Sequence, residues 1–169
     1  LGAKAQTVSL LSGVYQWQAN LDVPPPDMPQ VDSVAQGDWQ PNLALDWGRL
    51  GVIHHQHTLA NKVSVAVGEK VLVLGTSEYV WRSFLLAEDL EQQGAEVYFA
   101  STTRSPIAIG HAIKIARAFS DNYGLGIANF SYNVEPSQFD KVFLCSETPA
   151  TMLDAQWVAE INGQVIVDD

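Results

Sequence analysis

The chain has 169 residues, 47 % of them hydrophobic, enough for one core of ordinary domain size. Nine Lys and Arg against 19 Asp and Glu leave a formal charge of −10, which argues against a nucleic-acid surface or an anionic membrane as partner. A single cysteine, Cys145, excludes an intrachain disulfide, and no apolar run approaches the length of a bilayer span, so cytoplasmic residence is the expectation.

The first residue is Leu1 in place of Met, with no basic and apolar leader behind it, and the chain reads as a fragment or a processed product. Residues 1–62 lack steady periodicity and are expected to form an irregular N-terminal segment packed on an α/β unit of residues 63–169. Val23-Pro24-Pro25-Pro26-Asp27-Met28-Pro29 cannot hold a hydrogen-bonded ladder, because proline has no N–H to donate. Trp17, Trp39 and Trp47 lie around it, and aromatic side chains of this size predict burial against the core. His54, His55 and His57 invite a metal reading. Adjacent histidines on a strand point to opposite faces, however, and no Cys, Asp or Glu accompanies them at a ligand spacing.

From Lys70 the pattern sharpens. Val71-Leu72-Val73-Leu74 is a continuous apolar run that predicts a buried strand ending in Gly75-Thr76-Ser77-Glu78, after which Val80, Phe84, Ala87 and Leu90 recur at helical spacing. Gly94 stops that helix, and Glu96 to Ser101 is a second strand, rich in β-branched and aromatic residues. Beyond the loop Thr102-Thr103-Arg104-Ser105-Pro106, the positions of Ile109, Ala112, Ile113 and Ala116 predict a second helix with His111, Lys114 and Arg117 on its polar face. Asp121-Asn122-Tyr123-Gly124 and Gly126 are turn chemistry within a long loop. Lys141 to Cys145 is a third strand running into Ser146-Glu147-Thr148-Pro149. A helix from about Asp154 to Ile161, stopped by Gly163, and a strand over Val165-Ile166-Val167 follow. This alternation predicts an α/β fold with a three-layer, mainly parallel, Rossmann-like sheet.

In a parallel sheet the three polar loops emerge on one edge. With the first strand between the second and third, the crevice between the Gly75 and Ser146 loops is the topological switch point, where open α/β sheets bind ligands. Arg104 offers a planar five-donor fork for phosphate or carboxylate, beside hydroxyls and turn amides of Thr102, Thr103 and Ser105. Gly75, Thr76 and Ser77 line one side; Ser146 and Thr148 line the other, with Asp121 and Asn122 contributed by the long loop. Glu78 and Glu147 are the candidate catalytic carboxylates, suited also to ribose hydroxyls or an amine, and Mg²⁺ would enter through the ligand phosphate. Structural alternatives stand beside each: Arg104 as a helix cap or ion-pair partner, Glu147 as a turn cap, Glu78 as a first-turn acid favoured by the helix dipole. Cys145, inside an apolar strand, reads as a core thiol. Walker-type, Gly-x-Gly-x-x-Gly, nucleophile-elbow and Cys-x-x-Cys motifs are absent.

Thr103-Arg104-Ser105-Pro106 is the motif for which the TRSP domain is named, a domain found C-terminal to certain bacterial phosphoribosyltransferases. The chain resembles that family also at Gly48-Arg49-Leu50-Gly51, Val71 to Thr76 with Glu78, Ser101-Thr102, Asp121 to Gly124, Asn129-Phe130, Tyr132-Asn133-Val134 and Cys145 to Pro149, over most of its length from about Trp39. It departs at Ser77-Glu78-Tyr79-Val80-Trp81, where the family more often has an acidic-aromatic run, so the resemblance assigns no catalytic acid there. What the resemblance implies is a partner role in a stress-response gene cluster associated with tellurium resistance, whose linked enzymes look suited to making a nucleoside-like metabolite. The resulting expectation is binding of a phosphorylated sugar or nucleoside-like metabolite in cooperation with a phosphoribosyltransferase. Two alternatives remain: an enzyme in its own right, a lyase or hydrolase using Glu78 or Glu147 as base, and a non-catalytic assembly domain.

Overall fold

A strand that is apolar at every position must be covered on both faces. The computed structural model, which describes residues 8–18, 22, 28–35, 37, 39–40 and 59–168, shows how this is achieved. Its regular elements are β1 (Lys70–Gly75), α1 (Trp81–Gln92), β2 (Glu96–Ser101), β3 (Ala116–Ser120), β4 (Ala128–Tyr132), β5 (Lys141–Ser146), α2 (Ala155–Glu160) and β6 (Gly163–Val167). Four strands form a parallel sheet in the order β2-β1-β5-β6, with β1 between β2 and β5, the arrangement on which the switch-point reading is conditional. Val71, Val73, Phe143 and Cys145 face one side, where Leu86, Ala87 and Leu90 of α1 and Leu59 close over them. Leu72, Leu74, Val142 and Leu144 face the other, against Phe119, Leu153, Trp157 and Ile161. Trp157 stacks on Phe119 with ring centroids 3.7 Å apart and donates its indole N–H to Ser131 Oγ at 3.2 Å.

The second face corrects the sequence reading. No helix follows the Thr102–Pro106 loop; the segment makes a tight turn bridged between Gly110 and Ile113 and enters β3, which pairs antiparallel with β4. Ile107, Ile109, Ile113 and Ile115 satisfy a period of two as well as a helical spacing, and β-branched side chains favour the strand. Gly110 and His111 both take positive φ, which ends any helix there. The chain between β2 and β5 is thus a hairpin, and hairpin and α2 together cover the face on which a crossover helix was expected.

Toward the N-terminus the expectation of buried tryptophans fails at Trp17, which is 71 % exposed. Trp39 is half-buried, and its ring lies 5.7 Å from that of Tyr123. Gly37 passes so close that a Cβ at Gly124 would run into the Gly37 carbonyl oxygen. Trp47, Gly48–Gly51, the three adjacent histidines and Pro24–Pro26 lie outside the described residues. Among the described residues no helix is long and apolar enough to cross a membrane.

One buried ion pair clamps the last strand to the first helix. Arg82 Nε and Nη2 donate to the Asp168 carboxylate at 3.1 and 3.2 Å, with the two side chains 3 % and 6 % exposed. Tyr79 donates its hydroxyl to the same carboxylate, and burial together with that anion pushes the phenol pKa up. Asp168→Ala leaves the guanidinium buried without its counter-ion, so urea denaturation is expected to show a loss of about 3–5 kcal/mol.

Candidate functional site

Gly75 ends β1 where only glycine fits: a Cβ there would stand 2.6 Å from the Tyr79 carbonyl oxygen. The chain then turns, and buried Thr76 ties it to β5 through its N–H and Oγ1, each 3.1 Å from Cys145 O. Ser77 takes a left-handed φ of 47°, unusual for a residue with a side chain. Two bonds hold it: Thr102 Oγ1 accepts its N–H at 2.7 Å, and its Oγ donates to Asn129 Oδ1 at 2.8 Å. Thr102 N–H in turn bonds Gly75 O at 2.9 Å. Thr103 then exchanges both backbone bonds with Phe130, and its Oγ1 accepts the Ser105 N–H at 3.1 Å. The β1 and β2 loops and the hairpin are therefore one hydrogen-bonded unit.

Arg104 lies at the centre of this edge. Its guanidinium carbon is 5.9 Å from the Tyr123 ring centroid, and Nη1 is 3.6 Å from Glu78 Oε1. Arg104 Nε is buried and has no hydrogen-bond partner. The Arg104 side chain is 35 % exposed and that of Glu78 60 %, so their pairing is solvent-screened and weak. Below them the buried Tyr123 hydroxyl donates to Glu147 Oε1 at 2.8 Å. Glu147 is only 6 % exposed, despite carrying a carboxylate. Arg104 thereby connects to the β5 loop through Tyr123, and Gly75, Arg104 and Glu147 lie along the same edge of the sheet.

Other polar residues on this edge are spent on architecture. Asn122 Nδ2 donates to Thr148 Oγ1 at 3.0 Å, while Ser146 Oγ accepts the Thr148 N–H at 3.1 Å; all three side chains are buried. Asp121 accepts N–H groups of Tyr123 (2.8 Å) and Leu125 (3.1 Å) on one oxygen and of Ile127 (3.1 Å) on the other. Burial alone would raise its pKa, but these amides together with that of Gly126 hold it below the ordinary carboxylate value. The Cys145 thiol is pushed up to about 12, chiefly by burial, and so stays neutral.

On the α2 side of the Asp121 loop a cavity of about 370 Å³ is bordered by Asp32, Ser33, Asp121, Thr151 and Asp154. Among the described residues no Lys or Arg lines it, and those that do include three aspartates, a poor environment for a phosphate. Among the described residues no group of three or more His, Cys, Asp or Glu is placed to hold a metal ion. Sequence reasoning placed Tyr123 in a turn with Asp121 and Asn122 but left it out of the site, and gave Asn129 no site role. The available signal was a buried polar residue inside Ala128-Asn129-Phe130-Ser131-Tyr132, an otherwise apolar and aromatic strand.

The fold is a mixed α/β one, a four-stranded parallel sheet with a two-stranded antiparallel sheet, and polar loops gather at the carboxyl ends of the parallel strands. Residues 48–161 match the family described as "TRSP domain C terminus to PRTase_2". The match spans well over half of the chain, and the chain belongs to that family. Among curated proteins and solved structures, none matches.

Because Asp121 has a lowered pKa in the folded state, its contribution is fully present above the ordinary carboxylate range and is lost as pH falls through that lowered value. Asp121→Asn places an amide donor against N–H groups and is expected to cost about 1–3 kcal/mol at neutral pH. In urea titrations across the acid range, the variant should lose less of its stability on acidification than the parent.

Proposed function

We propose that the Arg104 crevice takes the phosphate of a phosphorylated sugar or nucleoside-like metabolite, and that the domain works beside a phosphoribosyltransferase in a cytoplasmic, tellurium-resistance-associated stress pathway. One observation carries this reading: an arginine with a buried Nε that bonds nothing, held over an aromatic ring at the switch point of the sheet. A buried donor left unsatisfied costs about 1–3 kcal/mol, which an oxyanion accepting from that guanidinium offsets. The family description supports the phosphoribosyl part, since it sets such domains C-terminal to PRTase_2.

Within this reading Glu78 is a competitor. Its carboxylate already faces Arg104, and an incoming phosphate displaces it. The exposed Ser105 side chain supplies a further contact, while the Ser77 turn, Thr102 and Thr103 hold the loop in shape. Any Mg²⁺ arrives with the ligand phosphate, with Glu78 the nearest carboxylate to Arg104. A second reading, an enzyme of lyase or hydrolase type, is favoured by the burial of Glu147 beside Tyr123.

Thermal shift with phosphoribosyl compounds, nucleoside monophosphates and sulfate tests the reading. Arg104→Lys keeps the charge but loses the planar fork, so affinity should drop by about ten- to a hundredfold while the unliganded midpoint stays put. Glu78→Gln should bind the same compounds more tightly than the parent, the opposite of what a required base would show. If no phosphorylated compound stabilises the parent, or Arg104→Lys unfolds without ligand, Arg104 is structural and the anion site is wrong.

A further inference from the structure

On the flank of the sheet away from β5 lies a surface that the phosphate reading does not use. β2 is an edge strand: β1 pairs with one side of it, and no strand among the described residues pairs with the other. Between that edge and α1 runs a groove of about 230 Å³ lined by Phe84, Ala87, Glu88, Glu91, Val97 and Phe99. The Phe84 and Phe99 rings meet edge to face at 5.6 Å yet remain 42 % and 36 % exposed. Glu88 and Glu91, one and two helical turns further along α1, are exposed, and among the described residues no cation lines the groove.

An edge strand offers unpaired backbone groups, and a groove beside it offers side-chain pockets; together they are the elements by which folded domains accept an extended peptide as an added strand. The charges choose the occupant. A second copy of this chain, itself at −10, would bring Glu88 and Glu91 toward its own acidic rim. We infer that the α1–β2 groove docks an extended segment of a partner protein that is apolar where it crosses Phe84 and Phe99 and carries Lys or Arg where it crosses Glu88 and Glu91. Apolar anchors fill the aromatic end, backbone bonds extend the sheet past β2, and the basic residues set register and direction.

The test uses the 169-residue chain labelled with nitrogen-15 and two heptapeptides, both with valine at positions one and three and threonine at the even positions. One carries lysine at positions five and seven, the other glutamate. The lysine peptide should shift amides of residues 84–91 and 97–101 and bind roughly tenfold more tightly than the glutamate peptide. The double variant Glu88→Lys with Glu91→Lys should reverse that preference, an outcome that loss of folding cannot mimic. The inference is overturned if neither peptide shifts these amides, if both bind the parent equally, or if the double variant keeps the parent's preference. It is overturned equally if the same amides shift with protein concentration in the absence of peptide, since a second copy then holds the groove. None of these outcomes depends on whether Arg104 binds phosphate.

Discussion

Burial of β1 on both faces is the constraint from which the rest of the architecture follows. Val71, Leu72, Val73 and Leu74 are each at most 4 % exposed, and removing four such side chains from water is worth on the order of 10 kcal/mol before entropy is counted. No other strand position satisfies that demand as well as the centre of the sheet, with α1 on one face and α2 plus the hairpin on the other. Once β1 lies between β2 and β5, the parallel register brings Gly75 level with Ser101 and Cys145. The loops after these strands are then neighbours, and the gathering of their polar residues at one edge is a consequence of the core.

The parts of this arrangement that were legible in the sequence are those in which core burial and local pattern agree. β1, β2, β5 and β6 are apolar runs bounded by glycine or polar loops, and α2 begins at Asp154, whose side chain caps the Trp157 N–H at 3.1 Å. The hairpin was not legible, because Ile109, Ala112, Ile113 and Ala116 fit a helical stripe while its two strands, Ala116–Ser120 and Ala128–Tyr132, alternate only weakly. What decides for strand is nonlocal: the β3–β4 ladder, the Thr103–Phe130 bridge, and Asn133 Oδ1 accepting the Lys114 N–H at 2.8 Å. The candidate site divides the same way. Arg104 and Glu78 could be named from loop chemistry, whereas the place of Tyr123 between Arg104, Trp39 and Glu147 depends on the hairpin and so was hidden with it.

The distribution of arginine sharpens the functional argument in a chain so acidic. Arg82 is buried with Asp168, and Arg117 donates to Val134 O and approaches Glu160 at 4.0 Å. Arg104 differs in facing the carboxyl edge of the sheet with a desolvated Nε and an exposed, easily displaced carboxylate opposite. The surrounding hydroxyls and amides are largely bound to one another, as in the sets around Ser146 and Asp121, which makes the edge rigid without satisfying Arg104. The proposed anion site rests on this one guanidinium N–H short of an acceptor, and displacing the Glu78 carboxylate is the one rearrangement that binding there requires.

The most direct measurement of the central claim is a nitrogen-15 amide spectrum of the 169-residue chain titrated with ribose 5-phosphate. The account predicts saturable shifts centred on Ser77, Arg104 and Ser105, with smaller ones at Tyr123, and none at the opposite edge of the sheet near Lys70 and Lys141. Shifts confined to that opposite edge, or a spectrum unchanged at saturating sugar phosphate, would contradict it.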